Sequence, residues 1–392
     1  MIKTPVYMDY HATTPVDKRV LDAMMPFFTE HFGNAASLQH RLGWIAKEAV
    51  EIARKKIAKA INAQPREIIF TSGATESNNL AIKGVAHLLR SKGNHIITTQ
   101  IEHKCVLESC KTLEAEGFRI SILPIDQFGK VNANDVKNAI TDSTILISVM
   151  FANNEIGTVQ PIAEIGKLCE EKGIVFHTDA TQAVGRIPID VEAMNIHLLS
   201  FASHKMYGPK GVGALYIRSK NPRTAIEPQI NGAGHEHGLR SGTLNVAGIV
   251  GFGTAVQIAM DEMEEENIRL FHLRNRLQEK ILKIENSSLN GHPTERLPNN
   301  LNITLHGINS DQLMTEMNDV AVSAGSACTS EEIGDMQYSH VLHAIGLNEE
   351  SGRSTIRFGL GRFTSEEEVD YVAERINSVR SKLRTFSSLG VV

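Results

Sequence analysis

Cysteine is scarce in this chain. Four residues, Cys105, Cys110, Cys169 and Cys328, occur among 392. They form no CxxC pair and no zinc-ligand spacing, and four in so long a chain are not a disulfide framework. No metal site is expected. An excess of one charge is also lacking: 40 basic side chains stand against 45 acidic ones, a formal net charge of -5. That balance gives no electrostatic reason to expect nucleic acid or an anionic membrane as a partner. Long hydrophobic runs are missing too. The start, "MIKTPVYMDY", has no apolar stretch of signal-peptide length. The most apolar later stretch, "VAGIVGFGTAVQIAM" (246–260), is too short and glycine-rich for a membrane span. A cytoplasmic protein is expected. The 42% hydrophobic and 22% charged content is that of a globular chain, and the length allows two domains.

What is present is a regular alternation. Short apolar runs recur at "EIIFT" (67–71), "HIITT" (95–99), "ISILPI" (120–125), "TILISVM" (144–150), "IVFHTD" (174–179), "HLLSFA" (197–202) and "GVGALYI" (211–217). Amphipathic patterns over 75–90, 103–117 and 162–172 separate several of them. Strands alternating with helices predict an α/β unit with a mostly parallel, seven-stranded sheet covered on both faces. Such a sheet binds ligands at the carboxyl ends of its strands. After about residue 245 the pattern changes to a long helix (246–284), strands near 299–305, 320–325 and 354–360, and helices at 310–318 and 365–383. This is a smaller α+β unit.

Three features fall at expected strand ends. In "IIFTSGATESNNLAIKG" (68–84), small residues precede a helix, where free amides and the helix dipole suit an anion. An ordinary cap by Ser72 or Thr75 is the plainer reading. Asp179 ends the run 174–179, as a helix cap or a partner for a ligand. Lys205 follows the run 197–202, and a partly desolvated lysine can form a Schiff base. Together these are what pyridoxal phosphate needs: a phosphate cup, a carboxylate for the ring nitrogen and an amine for the aldehyde. His103, just after a strand, could stack on the ring. Arg357 has the fork to hold a substrate carboxylate. Cys105, Cys110 and Cys169 lie in helical patterns and read as packing residues. Cys328 differs, because "VSAGSACTSEEIGDMQYSH" (322–340) reads as an exposed, mobile loop.

The ordered set "DYHATTP", "TSGATESNN", "EHK", "NNEIG", "DATQ", "SHKMYGPKG", "LRSGT" and "AGSACTS" resembles the cysteine desulfurases of the IscS/NifS type, from about residue 5 to 384. The last motif resembles their long-loop branch. The resemblance implies a fold-type I, class V aminotransferase homodimer that uses pyridoxal phosphate to convert L-cysteine to L-alanine and keeps the sulfur as a persulfide. It implies Lys205 as the Schiff-base lysine, Asp179 at the ring nitrogen, Gln182 at the ring oxygen and His103 on the ring face. Ala74, Thr75 and His204 are implied at the phosphate, with Thr243 reaching it from a second subunit. Asn154 and Arg357 are implied at the substrate carboxylate, and Cys328 as the persulfide carrier. Iron–sulfur scaffold proteins and thiolation pathways are implied as sulfur acceptors.

Two positions depart from the pattern. Ala202 stands where relatives often have a phosphate-binding serine, a role Ser203 could take over. The chain runs only to Val392, which implies weaker scaffold docking than in longer-tailed relatives. The expected division is a large unit, 16–261, and a small unit, 1–15 with 262–392. A selenocysteine lyase or an aminotransferase on the same fold is the nearest alternative, and a non-catalytic assembly partner is another. An aminotransferase has no use for Cys328.

Overall fold

The computed structural model describes residues 2–324 and 338–388. Alternation along a strand sends successive side chains to opposite faces of a sheet, and here both faces are buried. Ile96, Leu146, Leu198 and Leu215 join one apolar cluster with Leu80, Val85 and Val106 of helices Ala74–Leu89 and Lys104–Ala115. Their sequence neighbours Ile97, Ile147, Leu199 and Ala214 join another, with Val50, Ile57 and Phe252 of helices Arg41–Ala60 and Val246–Leu282. A strand buried on both sides needs a continuous apolar run, which is what these segments carry.

The central sheet has seven strands in the order Ile68–Thr71, Gly213–Ile217, Leu198–Ala202, Val175–Asp179, Thr144–Ser148, His95–Thr99, Arg119–Leu123. Gly213–Ile217 runs antiparallel to both neighbours and every other pair is parallel. Six carboxyl ends therefore face one edge. Two boundaries differ from expectation for local reasons. Glu67 does not begin a strand: it closes a 3-10 turn, Pro65–Glu67, and its carboxylate takes the amides of Gln64 and Ser219. The strand expected at 120–125 stops at Leu123, since Pro124 has no N–H to extend the ladder.

A second sheet, Thr355–Gly359, Asn300–Leu305, Ser287–Leu289, is antiparallel. Its core is Leu301, Ile303, Ile356 and Phe358 with Val372 and Ile376 of the last helix, Glu366–Ser388. The 37-residue helix Val246–Leu282 serves both cores. Ile249, Phe252 and Val256 pack under the large sheet, while Leu270, Leu277 and Ile281 pack under the small one. The N-terminal segment also bridges the two. Val6–Tyr7 pairs in parallel with Val320–Ala321, Asp9 bridges Gly359, and the chain then crosses to the carboxyl edge of the large sheet. Among the described residues no helix is long and apolar enough to cross a membrane.

Candidate active site

The helix Ala74–Leu89 follows strand Ile68–Thr71 through Ser72 and Gly73. Gly73 is the N-cap and makes no side-chain cap, so neither Ser72 nor Thr75 fills that place. Its φ of 156° lies in the region that favours glycine. The backbone also passes close to the neighbouring strand: a Cβ at Gly213 would sit 2.7 Å from the Gly73 Cα. The first amides of the helix are thereby left to whatever enters the space before them.

Lys205 ends the 3-10 turn Ser203–Lys205 after strand Leu198–Ala202. The segment 11–14 staples this turn. Thr14 donates from its amide and from its hydroxyl to the His204 carbonyl, both at 3.0 Å, and its hydroxyl accepts the Tyr207 amide at 2.8 Å. His204 Nδ1 lies 3.1 Å from the Thr13 hydroxyl. The Lys205 Nζ donates to the carbonyls of His11 (2.6 Å) and Ala12 (2.7 Å). Burial, then the nearby lysines 205 and 210, push the His204 imidazole down to about 4.

Asp179 closes strand Val175–Asp179. One oxygen accepts the Thr181 amide at 3.0 Å, and the other accepts Asn78 Nδ2 at 2.7 Å. The carboxylate thus makes the capping-type contact and also faces the cavity. Asn78 donates as well to the Cys105 sulfur, 3.2 Å away. His103 caps helix Lys104–Ala115: its Nδ1 accepts the Cys105 amide at 3.2 Å and lies 3.0 Å from the Cys105 sulfur. With Nδ1 accepting, the neutral ring carries its proton on Nε2. Burial holds His103 below its ordinary value. Burial first, then Asp179, pushes the Cys105 thiol up to about 12.

The small sheet contributes Arg357, which is 1% exposed. Its Nη2 donates to Asp9 at 2.7 Å and its Nη1 to the Asn154 carbonyl at 3.2 Å. Gln182 pairs with His11, Oε1 to Nδ1 at 3.0 Å and Nε2 to the carbonyl at 3.1 Å.

Ala74, Thr75, His103, Asn154, Asp179, Gln182, His204, Lys205 and Arg357 all line one cavity of about 300 Å³. Ala202 and Ser203 are buried and do not line it. The Ser203 hydroxyl has no partner, and a Cβ at Gly208 would come within 1.9 Å of it. Thr243 is exposed and away from this cavity. Cys328 lies outside the described residues. Among the described residues no group of three or more His, Cys, Asp or Glu could hold a metal. The cavity also contains residues that sequence reasoning did not assign to it: His11, Glu76 and Cys105. Cys105 is not simply a packing thiol, whereas Cys110 and Cys169 are buried in the two apolar clusters.

Glu102, next to His103, is a further unassigned group. It is fully buried. One oxygen accepts the Thr99 hydroxyl (2.7 Å) and the Met150 amide (2.9 Å), and the other has no partner. Burial raises this carboxyl to about 8, overcoming the two donors. The folded protein thus holds the proton more tightly than the unfolded chain. The resulting stabilisation is complete below the ordinary value of 4.5 and is lost as pH rises through about 8. Glu102→Gln keeps the acceptor oxygen and removes the titration. Between about pH 6 and pH 9 the wild type should lose stability relative to the variant, on the order of a few kcal/mol, as read from denaturant midpoints. Parallel pH profiles would show that Glu102 ionises without cost.

A half-buried lysine, a carboxylate and free helix amides at the carboxyl edge of a mostly parallel sheet define a class of pyridoxal-phosphate-type enzyme folds, and the aminotransferase class-V family profile matches residues 6–372. The cysteine desulfurase IscS of Anaeromyxobacter sp. (strain K) is 52% identical over 389 residues, covering 99% of this chain and 95% of that protein. Among solved structures, a NifS-like protein superposes with a TM-score of 0.89 at 38% identity, covering 96% of this chain and 99% of that one. The structure of SspA in complex with cysteine gives 0.80 at 40% identity, covering 92% and 100%. The chain belongs to the class V aminotransferase family, among its IscS-type cysteine desulfurases.

Proposed function

We propose that the protein is a pyridoxal-phosphate-dependent cysteine desulfurase that converts L-cysteine to L-alanine and leaves the sulfur as a persulfide on Cys328. One observation carries the reading: uncapped helix amides, the Asp179 carboxylate and the Lys205 amine meet in a single cavity. The residues present fit the cofactor. The amides at Ala74 and Thr75 would hold its phosphate, with His204 beside them and Thr243 of a second copy completing the cup. Asp179 would hold the ring nitrogen, Gln182 the ring oxygen, His103 the ring face and Lys205 the aldehyde carbon. When bound, pyridoxal phosphate supplies the electron sink that loosens the substrate's Cα proton and makes its sulfur transferable.

The chain's own residues do the rest. Arg357, held by Asp9 and the Asn154 carbonyl, and Asn154 receive the substrate carboxylate. The Lys205 Nζ, released from the His11 and Ala12 carbonyls, takes the Cα proton. His103 holds a proton on Nε2 for the departing groups. The Cys328 thiolate attacks the substrate sulfur: an S–S bond forms, the C–S bond breaks, and the carbon keeps the electron pair and is protonated to the methyl of alanine. The described cysteines do not compete. Cys105 is in the cavity but held as a thiol, and burial raises Cys110 as well.

We assign residues 16–261 to a large cofactor unit, and residues 1–15 with 262–392 to a small unit. A homodimer accords with exposed apolar side chains on the first helices, where Leu21 is 45%, Phe28 56% and Trp44 56% exposed. Protein sulfur acceptors, an iron–sulfur scaffold among them, would then discharge the persulfide. The test is direct. Pyridoxal-phosphate-loaded protein should sediment as a dimer and release L-alanine from L-cysteine in step with transferred sulfur. Consumption of cysteine without alanine, or amino transfer to a keto acid, would contradict the reading.

A further inference from the structure

His11 stands in the first of the ordered motifs, and nothing so far gives it a task. It is 1% exposed, lines the cavity and makes two contacts with one side chain. Its carbonyl lies 3.1 Å from Gln182 Nε2, and its Nδ1 lies 3.0 Å from Gln182 Oε1. The carbonyl decides which end of the amide is which, because the reverse orientation would set two carbonyl oxygens against each other. Gln182 Oε1 therefore faces Nδ1. An amide oxygen has no proton to give, so the imidazole proton sits on Nδ1 and Nε2 is left as a bare, buried acceptor without a partner.

We propose that His11 is a positioning residue that locks the Gln182 amide, so that this side chain offers the cavity a hydrogen-bond donor and never an acceptor. The inference rests on the reading of the cavity as a pyridoxal phosphate site. The lock is reciprocal. The Gln182 oxygen is occupied by Nδ1–H, one of its two N–H groups is occupied by the His11 carbonyl, and one N–H remains on a residue of the cavity wall. Burial, then Arg357, Arg186 and Lys205, keep the imidazole well below its ordinary range, against the Gln182 contact. The ring stays neutral with a single proton, and the lock does not loosen across working pH.

A fixed donor at the cofactor's ring oxygen has a spectroscopic consequence. That oxygen carries most negative charge once the proton it shares with the neighbouring nitrogen has gone, so the donor favours the deprotonated form. Losing the donor moves the pH at which the visible band changes upward. The experiment titrates the absorption spectrum of pyridoxal-phosphate-loaded wild type, His11→Leu, Gln182→Leu and the double variant. Gln182→Leu, which removes the donor, should raise the midpoint by about one pH unit, a tenfold change in proton affinity. His11→Leu, which keeps the backbone carbonyl but releases the amide oxygen, should raise it by a smaller amount in the same direction. The double change should match Gln182→Leu alone, because without the amide there is nothing for His11 to hold. His11→Asn, which keeps an N–H near the Nδ1 place, should return the midpoint towards wild type. Where His11→Leu does not fold, His11→Ser removes the contact with less disturbance of Lys205 and serves the same comparison. A His11 variant titrating at the wild-type pH, or additive shifts in the double variant, would overturn the lock alone. A wild type that takes up no cofactor and shows no visible band would overturn the cavity reading, and the lock with it.

Discussion

Cys328→Ala should stop alanine formation while the protein still takes up its cofactor and still responds spectrally to L-cysteine. In the proposed site, cofactor and substrate are held by Lys205, Asp179, Arg357 and the helix amides, all of which line the described cavity. Only the attack on the substrate sulfur needs the thiolate. Removing a covalent nucleophile acts on the scale of a thousandfold or more, so the turnover number should fall by roughly that factor with little change in the cysteine concentration for half-response. The same change at Cys110 or Cys169 should cost far less turnover. Both thiols are buried in apolar clusters, and their replacement acts through packing. Cys105→Ala is the informative control. Its sulfur touches His103 and Asn78 in the cavity, so a modest loss is expected, with alanine formation retained. Full activity in Cys328→Ala would remove the mechanism.

Lys205→Ala should be as damaging, but at an earlier step. The Lys205 amine is held by two backbone carbonyls at the end of a stapled turn, 2.6 and 2.7 Å away. It is the described cavity lysine placed both to bind an aldehyde and to carry the substrate's proton. Borohydride should fix cofactor to wild-type protein at this residue and fix none to the variant. Turnover should drop by about a thousandfold or more, since general base catalysis alone contributes about 10²–10⁴-fold and the covalent attachment is lost as well. Peptide mapping of the reduced protein decides the matter. Label on another lysine would mean that the turn Ser203–Lys205 is not the attachment point.

The main chain of the site was legible because strand ends are legible. Asp179, Lys205 and the start of helix Ala74–Leu89 each follow an apolar run, and a parallel sheet gathers such ends on one edge. The supports were not legible, because they join distant positions without a periodic signal. His11 meets Gln182 across 171 positions, and Asn78 meets Asp179 across 101. The motif containing His11 was noticed, but nothing in its composition says that its carbonyls receive a lysine 194 positions away. Cys105 packs as expected but also reaches the cavity, for a local reason. The helix expected to start at 103 starts at Lys104 with His103 as its cap, which brings the Cys105 sulfur to His103 and Asn78 at the cavity wall while its side chain also packs against the apolar cluster behind it. The cap itself was the usable signal: a polar residue immediately before a helical run. Glu102 and its raised carboxyl had no signature at all, since its burial depends on Thr99 and Met150 from two separate strand ends.

The sulfur itself gives the most direct measurement. Loaded protein is exposed to less than one equivalent of L-cysteine, alanine is quantified, and the protein is digested under conditions that preserve persulfides for mass spectrometry. One alanine should appear for each sulfur gained, and the extra sulfur should lie on the peptide that contains Cys328. Alanine formed with the sulfur on the Cys105 peptide, or with no sulfur retained by the protein, would contradict a persulfide on Cys328.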